Sequence, residues 1–266
     1  MNGHGEPVRL HGADGASALV SRYGGQVLSW ICGGRERLYL SPRANYAPGQ
    51  AIRGGVPVIF PQFSDRGPGL RHGFARLREW THAGDGRFGL RDDAADHAAW
   101  PHRFQAELTV ELGADSLAIA LRVDNTGAEP FAFTAALHTY LGVDDLAVVR
   151  LQGLGGREYS DATRDGESGV QHEAALRFES ELDRLYPGVA GGLRLDAVGR
   201  RLRIDAEGFP DTVVWNPGAA LAARLADLGA GEHARFVCVE AAAAAMPVSL
   251  AAGASWSGRQ ILTVED

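Results

Sequence analysis

Apolar and polar residues alternate with period two along much of the chain. "LTVEL" (108–112), the turn "GADS" and "LAIALRV" (117–123) form one unit closed by "DNTG". Leu108, Val110 and Leu112 share one face of the first arm, and Leu117, Ile119, Leu121 and Val123 share one face of the second, so the spacing predicts a β-hairpin. "GLRLDAVGRRLRIDAEG" (192–208) repeats the pattern, with Leu193 and Leu195 before its turn and Leu202 and Ile204 after it. Further strands are expected at "QVLSWIC", "DTVVWN", "ARFVCVE", "PVSLAAG" and "RQILTV". Helical spacing is short and weak; it predicts a helix around "FESELDRLYPG" (178–188). The 35 glycines and 12 prolines are scattered between strands instead of gathering into a linker. Many short strands with frequent turns imply an all-β chain. The expectation is one domain over 1–266, a large antiparallel β-sandwich with few short helices.

Composition sharpens this picture mainly by exclusion. The 266 residues are 45% hydrophobic and 22% charged, enough for a sizeable core. A formal net charge of -7 argues against a nucleic-acid partner, which needs a basic face. All 26 basic residues are Arg, so a lone Arg says little and its position must carry any argument. Cys32 and Cys238 lie in apolar surroundings and are expected as buried free thiols. The N-terminus "MNGHGEPVRLHG" lacks the apolar core of a signal peptide, and no apolar run approaches the ~20 residues of a membrane helix. A soluble, cytoplasmic, monomeric protein is expected.

Several familiar signatures fail. "GLGGRE" lacks the third glycine and the βαβ context of a dinucleotide site. "GASWSG" misses the nucleophile elbow by one position, and an all-β chain lacks the strand-to-helix turn that the elbow needs. The run "AAAAA" (241–245) reads as core or turn filler, and no metal or organic cofactor is implied by any motif.

Two stretches set an ionisable group inside an apolar strand: His138 in "AFTAALHTYLGV" and Glu240 in "RFVCVEAA". Desolvating a carboxylate is costly, so a buried Glu needs a partner or a purpose. Alone, Glu240 reads equally well as a paired structural carboxylate, and His138 reads better as a hydrogen-bonded core histidine. Together they suggest proton transfer near neutral pH, because burial makes Glu a stronger base and His donates near its ordinary pKa of ~6.5. Sugar mutarotation is a reaction that needs only such a pair: a base at the anomeric hydroxyl and an acid at the ring oxygen.

"IRGGVPVIFPQFS", "HGFARLREW", "LHTYLGV", "DTVVWNP" and "FVCVEAA", in this order, resemble successive motifs of the hexose-6-phosphate mutarotases, a branch of the aldose 1-epimerase superfamily. The resemblance implies a galactose-mutarotase-like β-sandwich acting on a small sugar phosphate without cofactor. It implies Glu240 as the base and His138 as the acid. His72, Asp183 and Gln62 would lie in the sugar pocket, and Arg53 and Arg76 would hold the phosphate, for which guanidinium forks are suited. Gly218 after "WNP" and Ala252 before Gly253 depart from the family's usual residues. An aldose 1-epimerase for free sugars and a non-catalytic carbohydrate-binding domain are the competing readings.

Overall fold

Both hairpins read from the alternation form in the register it demands. Phe104–Leu112 pairs with Ser116–Asn125 so that Leu108 faces Leu121 and Val110 faces Ile119. Leu193–Ala197 pairs with Arg200–Glu207, setting Leu193 opposite Ile204 and Leu195 opposite Leu202. The computed structural model describes residues 5–265, apart from the side chains of Ala95, His97, Ala99 and Arg200.

Among these described residues, the two hairpins are joined through Ser255–Val264 into a nine-stranded antiparallel sheet. An eight-stranded sheet runs in the order Glu167–Val170, Glu158–Asp161, Leu182–Tyr186, Asp211–Asn216, Phe236–Leu250, Phe131–Leu137 and Val58–Ile59, with Tyr140–Gly142 also paired to Phe236–Leu250. The core lies between these sheets. Val237, Val239 and Ala241 of one meet residues such as Ile119, Ile204 and Leu262 of the other in a single buried cluster. Gln260 crosses the gap, donating to the Val239 carbonyl at 3.0 Å and accepting from the Thr139 hydroxyl. A four-stranded sheet spanning residues 8–36 adds Val20, Val27 and Trp30 to the same core. The arrangement is the antiparallel sandwich expected. Cys32 and Cys238 are buried free thiols. Among the described residues, no helix is long and apolar enough to cross a membrane.

The helix expected over 178–188 is not formed: Leu182–Tyr186 is a strand paired with Asp211–Asn216. Both of its faces are used. Leu182 and Tyr186 point to the inter-sheet core while Leu185 belongs to a cluster on the other side, so the Leu182–Leu185 spacing imitates a helical turn. "ARFVCVE" and "PVSLAAG", expected as separate strands, belong to one strand, Phe236–Leu250. Its pairing with Phe131–Leu137 slips between Phe133 and Ala135. The buried Asp211 carboxylate accepts from the Ala244 and Ala245 amides next to that slip, at 2.9 and 2.8 Å. This bulge accommodates Pro247, the first residue of the second of the two expected strands.

Candidate active site

The outer face of the eight-stranded sheet is the floor of a cavity of about 880 Å³, within the range of clefts that take small molecules (roughly 300–1,000 Å³). Strand parity decides what faces it. Val237, Val239 and Ala241 point into the sandwich, so Cys238 and Glu240 point the other way. Register then puts Val213 beside Glu240, Leu185 beside Val213, and Trp215 between Cys238 and Asp183. A strand covered on both faces reads as a continuous apolar run, which is why Glu240 stands out in it.

His138 occupies the break between Phe131–Leu137 and Tyr140–Gly142. Its amide donates to the Pro57 carbonyl at 3.0 Å, and the Tyr140 amide donates to the Gly55 carbonyl at 2.9 Å. The "RGGVP" segment is thereby laid along the histidine. Gly55, with φ 61°, allows this approach: a Cβ there would sit 2.1 Å from the Val27 carbonyl oxygen. The buried Gln26 amide donates to the carbonyls on both sides of Arg53, those of Ile52 and Gly54, at 3.3 and 2.6 Å.

His72 sits on the loop above. Its backbone is in the left-handed region at φ 61°, an uncommon state for a non-glycine residue that here turns the ring inward. The His72 Nδ1 accepts from the Ser64 amide at 3.3 Å, leaving Nε2–H as the donor of the neutral ring. Its ring meets that of His138 edge-on at 5.8 Å.

At the centre, His138 Nε2 lies 3.4 Å from Glu240 Oε1. His138 is 8% exposed and Glu240 2%; Nδ1 of the first and Oε2 of the second have no protein partner. Burial, reinforced by Asp183, pushes Glu240 well above the usual carboxylate range, while Arg76 pulls the other way. Burial, with Arg76 and Arg53 adding to it, pushes His138 down to about 3. Burial and the neighbouring His138 push His72 down to about 2. Asp183 is raised to about 6 by burial. In the free protein both members of the central pair therefore favour their uncharged forms, with the proton on Glu240.

The two arginines differ. Arg53 Nε pairs with Asp227 at 3.1 Å, and its Nη1 donates to the Tyr140 hydroxyl at 3.1 Å. Arg76 donates from Nη2 to the Arg71 carbonyl at 2.9 Å, its Nε is buried without a partner, and it has no carboxylate at ion-pair distance among the described residues. Burial lowers it to about 10, the state of a cation lacking an anion.

The cavity thus brings together six of the seven residues singled out from the sequence: Arg53, His72, Arg76, His138, Asp183 and Glu240. Gln62 is elsewhere. Its amide donates to the Ser64 and Gly69 carbonyls at 3.0 and 3.3 Å and accepts from the Gly69 amide at 2.8 Å, which ties it to the loop's backbone instead of the cavity. Tyr140 and Asp227 line the cavity without having been singled out. Tyr140 had a signal, since it stands two residues beyond His138; its ring stacks on the histidine at 4.9 Å and 12°. Asp227 had none, lying 174 residues from the arginine it pairs with. Among the described residues, no three His, Cys, Asp or Glu side chains converge in a metal-binding arrangement.

The family model for aldose 1-epimerases matches residues 6–263. A Cenchrus ciliaris protein named "Putative glucose-6-phosphate 1-epimerase" is 37% identical, covering 97% of this chain and 84% of its own. An Escherichia coli protein of the same name is 33% identical over 85% of this chain and 79% of its own. The crystal structure of a Salmonella typhimurium protein described as a putative mutarotase, YeaD, superposes with a TM-score of 0.87 at 30% identity, covering 94% of this chain and 88% of that one. Slr1438 from Synechocystis shares the fold with a TM-score of 0.82 at 19% identity, over 98% and 97% of the two chains.

Proposed function

The chain belongs to the aldose 1-epimerase family of isomerases, and we propose that it interconverts the α and β anomers of an aldohexose 6-phosphate. The observation that carries this reading is the His138–Glu240 contact at 3.4 Å in a cavity that also holds Arg76, a half-buried cation with no carboxylate partner among the described residues. The hydroxyl and the ring oxygen of an anomeric centre share one carbon, so the base and acid that serve them must be adjacent.

The Glu240 carboxylate takes the proton of the anomeric hydroxyl as the C1=O1 bond forms. The C1–O5 bond breaks, and O5 takes a proton from the His138 imidazolium. The aldehyde rotates about C1–C2, and the same transfers in reverse close the other anomer. One proton thus moves between the pair, and the open chain is held by their uncharged forms. His72 offers Nε2–H to a sugar oxygen, Asp183 accepts from hydroxyls, and Arg76 and Arg53 receive the phosphate. The names of the relatives support glucose 6-phosphate as the substrate.

Anomer exchange followed by magnetisation-transfer NMR tests this reading. Glucose 6-phosphate should exchange faster than its spontaneous background, and Glu240→Gln should lose roughly 10²–10⁴ of the catalysed rate. A folded Glu240→Gln as fast as the parent would remove Glu240 from the chemistry. A free aldose is the second reading, favoured by the partial neutralisation of Arg53 by Asp227; a faster rate on glucose than on glucose 6-phosphate would select it.

A further inference from the structure

The groups facing His138 form a lopsided electrostatic set. Glu240 is in contact, and Trp215 presents an edge at 5.8 Å. The Tyr140 ring stacked on the imidazole carries a hydroxyl that accepts from Arg53, so the guanidinium and the imidazole flank one aromatic ring. Arg76, Arg53 and the more distant Arg71 all oppose a proton on His138, and His72 meets it edge-on. On the acidic side, Asp183 acts on Glu240, and Asp227 is engaged with Arg53. Arg76 is the cation left without a counter-charge among the described residues.

This arrangement has a consequence for the order of events. Ring opening requires a carboxylate at Glu240 and an imidazolium at His138, whereas the free protein favours the proton on Glu240. Moving it 3.4 Å to His138 takes up no proton from solvent; it needs the positive field at that end of the cavity to be cancelled. A dianion against Arg76 and Arg53 cancels it.

Resting on the function proposed above, we infer that the substrate's phosphate is an activator as well as a handle. Seated against Arg76 and Arg53, it is the counter-charge that lets His138 hold a proton beside the Glu240 carboxylate, and a tetrahedral dianion there promotes ring opening even when not attached to the sugar. Selectivity for phosphorylated sugars is then expressed partly in kcat. Free glucose enters the cavity but meets the pair in its uncharged state.

The test uses sulfate, a tetrahedral dianion too weakly basic to catalyse mutarotation itself. Exchange of glucose by the intact protein is measured with sodium sulfate and with sodium chloride at equal ionic strength, the enzyme-free rates being subtracted. Sulfate should accelerate the enzymatic rate saturably, by roughly 5- to 150-fold if the coupling is of ordinary allosteric size. The ring nitrogens of His138, followed by NMR over the same titration, should gain imidazolium character. Unchanged or inhibited glucose exchange overturns the inference, and so does acceleration without a change at His138. Failure to accelerate glucose 6-phosphate overturns the proposed function, whereas a protein that accelerates glucose 6-phosphate but ignores sulfate overturns this inference alone.

Discussion

At the scale of the residue, Arg53 and Arg76 reach one cavity in different states of neutralisation. Asp227 holds Arg53, with the two side chains 22% and 24% exposed, while Arg76 is half-buried and has no carboxylate at ion-pair distance among the described residues. Arg53→Ala therefore removes a cation and also leaves the Asp227 carboxylate unpaired, where, on the proposed function, it opposes the substrate's phosphate. Its cost should exceed that of one lost charge-assisted hydrogen bond, which is worth about 1.5–3 kcal/mol, or roughly ten- to a hundredfold in KM. Adding Asp227→Ala should recover part of that loss, so the double variant binds sugar phosphate more tightly than Arg53→Ala. A double variant no better than Arg53→Ala would show that Asp227 does not oppose the phosphate. This pairing also marks the limit of what the sequence discloses. Glu240 and His138 are conspicuous because ionisable side chains interrupt apolar strands, and Tyr140 shares the local parity of His138. No local pattern connects Arg53 to an aspartate 174 positions away.

At the scale of the element, the roof of the cavity is a loop closed upon itself and locked from beneath. The His72 amide donates to the Ser64 carbonyl at 3.1 Å, the Ser64 amide donates to His72 Nδ1, and the Gln62 amide occupies backbone groups of Ser64 and Gly69. Gln62, expected from family resemblance in the sugar pocket, instead braces the loop that carries His72. Gln62→Ala should fold, losing about 1 kcal/mol for each hydrogen bond. It should also lower kcat/KM for the sugar phosphate by roughly ten- to a hundredfold, because small displacements of positioning groups are costly. Faster hydrogen exchange over 64–72 should accompany the loss. A lower Tm with unchanged kcat/KM would assign Gln62 to stability alone. The two misread elements have equally local causes. Leu182–Tyr186 looks helical because both of its faces are buried, and Phe236–Leu250 looks like two strands because its bulge and Pro247 interrupt the alternation. Alternation reports strands that bury one face, so it is clearest in the hairpins and weakest in the strands beneath the cavity.

At the scale of the whole molecule, burying these groups makes stability depend on pH with a definite sign. His72 and His138 are held near about 2 and about 3, against an ordinary value of ~6.5 in the unfolded chain. As pH falls below ~6.5 the unfolded chain takes up two protons that the fold refuses, so this contribution is complete above ~6.5 and is lost toward pH 3. Asp183, raised to about 6, and Glu240, also raised, act in the opposite sense: their contribution is complete below their unfolded values and is lost as pH rises through the folded ones. Between pH ~4.5 and ~6 the two pairs oppose each other, and stability should vary little through their titration. Below ~4 the carboxyls are protonated in both states and the histidines act unopposed. His72→Asn isolates one of these protons, because Asn tolerates the left-handed backbone that His72 adopts. Whatever the variant costs at pH 7, its stability relative to the parent should improve as pH falls from ~6.5 to ~3, by about 1.4 kcal/mol per pH unit. Urea unfolding at a series of pH values measures that difference directly. A difference independent of pH would mean that His72 takes up its proton in the folded protein as readily as in the unfolded chain, which is incompatible with a half-buried neutral ring held at Nδ1 by the Ser64 amide.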